Sequence, residues 1–189
     1  IVHRDVSPQN MMVSYEGAVK LIDFGIAKAK HKASQTQAGV IKGKFAYMPP
    51  ELLKGQPIDG RADIFALGTV LHEMITGRSL FSRDTDLDTL RAVMACDVPR
   101  PSLFNPTVPP ELDDVVMRSL AAEPAERYQS AEEFSEDLDR TVVLLGPPIS
   151  SSRLRAFMMQ VFAREVEEER SKIREYATLD ITGEVPLPE

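Results

Sequence analysis

The sequence predicts a mainly α-helical protein with one small β-hairpin near its start. Three observations carry this. Apolar residues recur at helical spacing in segment after segment beyond Pro57. One early segment, 11–22, reads as two short strands around a turn. The composition, 43% hydrophobic and 27% charged over 189 residues, is that of an ordinary globule with room for one domain and a tail.

The hairpin pairs Met11–Ser14 with Ala18–Ile22, and Gly17 in the turn is free to take positive φ. Residues 26–46 have no sustained period and carry five lysines without an acid, which predicts a long basic loop. Residues 61–76 are apolar on nearly every face, as a core helix is, and Gly77 ends them. A shorter helix fits 86–95, entered from Asp84-Thr85. A proline-rich connection over Pro99–Pro110 leads to an amphipathic helix at 111–120. Ser130 with Glu133 forms a capping box, followed by one apolar face of Phe134, Leu138, Val142 and Leu145. Gly146-Pro147-Pro148 marks a boundary between a domain at 1–145 and an amphipathic helix within 146–176. That helix, at 151–176, carries a stripe of Leu154, Phe157, Met158, Val161 and Phe162, expected to dock in cis rather than pair with a partner helix or lead toward a membrane anchor or sensor domain, and Glu168–Lys172 is expected to pair on its charged half. Residues 177–189 read as a flexible tail.

The bulk chemistry excludes several classes. No stretch approaches the roughly 20 apolar residues of a membrane span, so membrane contact is not indicated. The single Cys96 excludes a disulfide framework or a multi-cysteine metal site and is expected to be an ordinary buried or half-buried thiol, with nothing to place it as a nucleophile. A net charge of −7 argues against nucleic acid as a partner. His72, inside the core helix, reads as a structural histidine.

Chemistry is concentrated around the hairpin. His3-Arg4-Asp5-Val6-Ser7-Pro8-Gln9-Asn10 immediately precedes it, and Asp23-Phe24-Gly25 immediately follows. A hairpin folds back on itself, so its entry at Asn10 and its exit at Asp23 end up side by side. An amide oxygen and a carboxylate held there suit a hard cation such as Mg²⁺. Asp5, on the same loop, lies near enough to meet a substrate hydroxyl.

With these motifs the chain resembles the C-terminal lobe of a bacterial, eukaryotic-like protein Ser/Thr kinase, a helical lobe with a small hairpin taken from a two-lobed α+β parent. Met48-Pro49-Pro50-Glu51 stands where that family has Met-Ala-Pro-Glu, so Pro49 is a departure. Asp63 and Gly68 match its central helix, and Arg127, in Glu123–Tyr128, matches the partner of Glu51. The resemblance covers about residues 1–145. It implies that Asp5 accepts the hydroxyl proton, that Asn10 and Asp23 hold Mg²⁺ on ATP, and that Met12 floors the adenine. It also implies that His3 and Phe24 pack on the central helix, that Asp63 bonds back to the catalytic loop, and that Glu51 and Arg127 form a buried ion pair. Gly25 completes the triplet that opens the activation segment.

Two departures look linked. The family usually has Lys at the position of Ser7 and Thr at that of Lys44, two sites it places in contact. The expectation is that Lys44 supplies the missing positive charge and Ser7 the hydroxyl; the alternative is independent drift. Arg4 is expected to receive a phosphate on the activation segment, with Thr36 the main autophosphorylation site and Ser34 the second.

The resemblance implies protein substrates with Ser/Thr hydroxyls, ATP and Mg²⁺, a cytoplasmic location, and a dimer that would phosphorylate itself. No Gly-rich phosphate loop or Lys-bearing strand lies ahead of His3, so the chain reads as a lobe without its N-lobe, inactive by itself. The rival reading is a pseudokinase, a regulatory binding module without catalysis; the presence of Asp5, Asn10 and Asp23 speaks against it.

Overall fold

A computed structural model of the chain describes residues 1–24, 44–146 and 150–178. Strands β1 (Met11–Val13) and β2 (Val19–Leu21) form the two-stranded sheet. Helices α1 (Pro50–Leu53), α2 (Arg61–Thr76), α3 (Asp86–Ala95), α4 (Pro110–Ser119), α5 (Ala131–Val142), α6 (Ser151–Val161) and α7 (Ala163–Thr178) follow. The helix starts have local causes. Thr85 caps α3 by accepting from Asp88 N at 3.1 Å, and Ser130 caps α5 by accepting from Glu133 N at 3.0 Å. Glu133 reaches back to Gln129 N rather than to Ser130 N, a variant of the capping box. Pro50 and Pro110 each sit in the first turn of their helices, where a missing N–H costs nothing. Pro49 precedes Pro50 in extended backbone, so the departure there is accommodated without strain.

The chain divides into two compact units. The first comprises Ile1–Met12 and Leu21–Pro148. Its core gathers Phe65 from α2, Val93 from α3 and Leu112 and Val116 from α4, together with Phe81. A second cluster joins Ile64, Val115, Tyr128 and Phe134, with the Tyr128 and Phe134 rings stacked at 5.0 Å. The crossing of α2 and α4 is close: a Cβ on Gly68 would lie 2.2 Å from Ser119 Oγ, so only glycine fits there. Helix α2 is not buried all round. Leu67 and Met74 remain exposed, 39% and 76%, which corrects the expectation of an apolar helix wholly within the core.

The second unit comprises Val13–Lys20 and Ile149–Glu189. The hairpin turn therefore belongs with the C-terminal helices. Gly17 takes φ +80°, and a Cβ there would sit 2.5 Å from Ser151 O and 2.9 Å from Arg155 N. Both the turn geometry and the approach of the α6 backbone demand glycine. Tyr15 meets Phe162 at 6.2 Å between ring centres, and Glu16 pairs with Arg155 at 3.0 Å. The continuous helix expected over 151–176 is two helices, because Phe162 (φ −110°, ψ 30°) leaves helical geometry between them. Of the expected docking stripe, Leu154, Met158 and Phe162 are half-buried, whereas Phe157 and Val161 are more than half exposed. Glu168 pairs with Arg164 at 2.9 Å rather than with Lys172. The expected flexible tail begins inside α7; residues 179–189 lie outside the described residues.

Candidate active site

The site is built outward from Asp63, in the first turn of α2. Its carboxylate accepts from two consecutive backbone amides, His3 N at 2.7 Å and Arg4 N at 2.8 Å. Two charge-assisted bonds on adjacent amides fix the loop that leads to Asp5. They also hold Arg4 at φ +65°, a left-handed conformation that a non-glycine residue adopts at a cost of order 1 kcal/mol.

The hairpin delivers the remaining groups. Ile22 N donates to Asn10 O at 2.9 Å, and Ile22 O accepts from His3 Nε2 at 3.1 Å. One residue is thus pinned from both sides, and it immediately precedes Asp23. Because the partner of His3 Nε2 is a carbonyl, that nitrogen carries the proton, and the buried Nδ1 has no partner among the described residues. Asp23 adopts φ +59°, which aspartate tolerates better than most residues, and its side chain is exposed. The Phe24 ring lies 4.6 Å from that of His3 and is 52% exposed. Its described ring contact is with His3.

Asn10 is buried, and its Nδ2 donates to Asp5 O at 2.6 Å and to Asp5 Oδ2 at 3.1 Å. Both partners are acceptors, so the amide orientation is set and Oδ1 is the atom it offers a cation. Among the described residues no group of three or more His, Cys, Asp or Glu could hold a metal. The donor set of Asn10 and Asp23 is nevertheless the kind Mg²⁺ uses, one amide oxygen and one carboxylate, with substrate phosphates and water completing the shell. Met12, on β1 between them, is 53% exposed.

The other wall comes from the segment before α1. Lys44 opens a 3₁₀ turn, Lys44–Tyr47, and its Nζ lies 2.9 Å from Asp5 Oδ2. Ser7 is buried, and its Oγ has no hydrogen-bond partner among the described residues. These residues line a cavity of about 330 Å³ together with Tyr47, Met48, Leu52 and Ala66. Tyr47 OH donates to Glu73 Oε2 at 2.7 Å, tying the turn to α2. Burial, then the Glu73 carboxylate, pushes the Tyr47 phenol well above its ordinary value, so it stays a donor. Sequence reasoning missed this pair. Glu73 stands among Leu71, Met74 and Ile75, where an acid needs a partner, but the sequence does not say which.

Glu51 and Arg127 meet in the interior. Arg127 Nη1 and Nη2 each donate to the Glu51 carboxylate at 2.7 Å, and both side chains are almost wholly buried. The three remaining guanidinium protons go to Ala121 O, Arg61 O and Ala122 O. All five donors are thereby satisfied. Elsewhere, His72 is buried, with Nε2 donating to Pro99 O at 2.9 Å, and Cys96, whose thiol burial pushes up, faces Leu120 O. Gly25, Ser34 and Thr36 lie outside the described residues.

The structure thus brings together a carboxylate within hydrogen-bond reach of an amide and an ammonium, places a second carboxylate at the hairpin exit, and ties Glu51 to Arg127 in the interior. In comparison with known proteins, residues 1–138 match the protein kinase domain, and the chain belongs to that family. It is 42% identical over 185 residues, 96% of its length, to the tyrosine-protein kinase MasK of Myxococcus xanthus. It is 38% identical over 148 residues to the serine/threonine-protein kinase PknL of Mycobacterium tuberculosis, 78% of the chain. It is 42% identical over 142 residues to the serine/threonine-protein kinase PknB of Mycolicibacterium smegmatis, 74% of the chain. The matches cover 28%, 37% and 23% of those relatives, so the chain spans well under half of their length. Among the described residues no helix is long and apolar enough to cross a membrane.

Proposed function

We propose that this lobe transfers the γ-phosphoryl group of ATP to Ser or Thr hydroxyls of protein substrates. Asp5 orients the acceptor hydroxyl and takes its proton. Asn10 and Asp23 hold Mg²⁺, which neutralises charge on the phosphates when bound, and Met12 lies under the adenine. Such a reaction needs positioning and charge neutralisation more than covalent chemistry. The observation that carries the reading is the double pinning of Ile22, which fixes the hairpin exit at Asp23 against Asn10 and the Asp5 loop.

Ser/Thr specificity is favoured by Pro8, which resembles the Ser/Thr form of the loop, and by the names of PknL and PknB. Arg4, with Lys28, Lys30 and Lys32 of the basic segment, suits a phosphate on Thr36, then Ser34, received in trans within a dimer. The partners are protein substrates and ATP rather than nucleic acid, in the cytoplasm where ATP is available.

The test is transfer of labelled γ-phosphate by protein expressed from its complete open reading frame, followed by phosphoamino-acid analysis and peptide mapping. Label on serine and threonine, with Thr36 modified, is expected. Label confined to tyrosine would refute the Ser/Thr assignment, and neither Thr36 nor Ser34 modified in active enzyme would reject the activation sites.

A further inference from the structure

We propose that Lys44 supplies, from the segment preceding α1, the ammonium that accompanies the transferred phosphoryl group at Asp5, in space that the small, buried Ser7 leaves open. The proposal rests on the kinase reading of the same site.

In the transfer step the acceptor oxygen forms a bond to the γ-phosphorus, the bond from that phosphorus to the β-bridging oxygen breaks, and ADP leaves. The hydroxyl proton passes to the Asp5 carboxylate. An anionic phosphoryl group must therefore approach an anionic side chain, and a cation between them is what lowers that barrier. Lys44 Nζ already stands 2.9 Å from Asp5 Oδ2. The same oxygen accepts from Asn10 Nδ2 at 3.1 Å, so one carboxylate oxygen links the ammonium to a residue proposed to hold the metal.

The ammonium is delivered by an anchored backbone. Lys44 begins the turn whose far end is bonded to α2 through Tyr47 and Glu73, and Ala46 between them is 1% exposed. Opposite, Ser7 is 2% exposed, with an Oγ that has no partner among the described residues. A buried hydroxyl without a partner is costly to maintain. Its placement on the cavity that Asp5 and Lys44 also line gives it a use, as a hydrogen-bonding group for whatever enters. Charge and hydroxyl have thus exchanged sides of the site relative to the arrangement the family resemblance implies.

The test uses protein from the complete open reading frame and reads initial rates of labelled-phosphate transfer. Lys44→Met should lower kcat about 100-fold with the KM for ATP within about threefold, because the ammonium acts on the transferred group rather than on nucleotide binding. Lys42→Met, the neighbouring charge control, should leave kcat within about threefold. Lys44→Arg, which keeps the charge, should retain activity within about tenfold of the parent. Ser7→Lys in a Lys44→Thr background should recover at least about tenfold of the activity that Lys44→Thr loses. Equal effects of Lys44→Met and Lys42→Met, a Lys44→Arg variant as inactive as Lys44→Met, or no recovery in the double variant would each overturn the exchange. An inactive parent, or an Asp5→Asn variant as active as the parent, would instead refute the kinase reading, and the exchange with it.

Discussion

Replacing Arg127 with Met is expected to destabilise the first unit by about 3–5 kcal/mol, because it strands the buried Glu51 carboxylate without its counter-charge. The loss extends beyond one ion pair. Arg127 also closes the carbonyls of Ala121, Ala122 and Arg61, and its guanidinium lies 4.8 Å from the centre of the Phe65 ring. Methionine restores some apolar volume and none of these bonds. Denaturant unfolding followed by circular dichroism would read the change as a lower midpoint. Glu51→Met combined with Arg127→Met should be less destabilised than Arg127→Met alone, since no unpaired charge then remains. A single Arg127→Met variant as stable as the parent would mean that the pair does not hold α1 onto the helical core.

Asp5→Asn is expected to lower turnover by about 10²–10⁴-fold, the usual range for loss of a positioned general base. The substitution is nearly isosteric. Its amide oxygen can still accept from Asn10 Nδ2, and the Asp5 carbonyl bonded to the same nitrogen is unaffected. What disappears is the capacity to take a proton and the charge that holds Lys44. Nucleotide affinity should change little, because Asp5 is not among the residues proposed to hold the metal. Steady-state kinetics separates the two: a fall in kcat with a steady KM for ATP is the expected signature. A variant with full turnover would remove Asp5 from its assigned role.

Much of the fold was legible because its signals are local. Thr85, Ser130 and Gly17 announce helix starts and a turn through short-range chemistry, and the structure uses each at the position where the sequence puts it. The site was legible to the extent that a hairpin makes neighbours of its two ends. Contacts between distant segments were harder to read. Tyr47 and Glu73 meet across 26 residues, and nothing at either position names the other. The break at Phe162, which the turn at Tyr15 approaches, has no proline or glycine to mark it. The choice of Arg164 over Lys172 by Glu168 was equally open, since both lie four residues away on the same exposed helix. Periodicity identified apolar residues and could not say which would stay wet. Phe157, Val161 and Met74 fit helical stripes yet remain exposed.

The most direct measurement is metal-dependent nucleotide binding by protein from the complete open reading frame, followed by the paramagnetism of Mn²⁺ in place of Mg²⁺. The account predicts a ternary complex of protein, ATP and Mn²⁺ whose affinity falls by at least about tenfold in Asp23→Ala and in Asn10→Ala, the range expected when a ligand to a metal is removed or misplaced. Unchanged Mn²⁺ and nucleotide binding in both variants would contradict it.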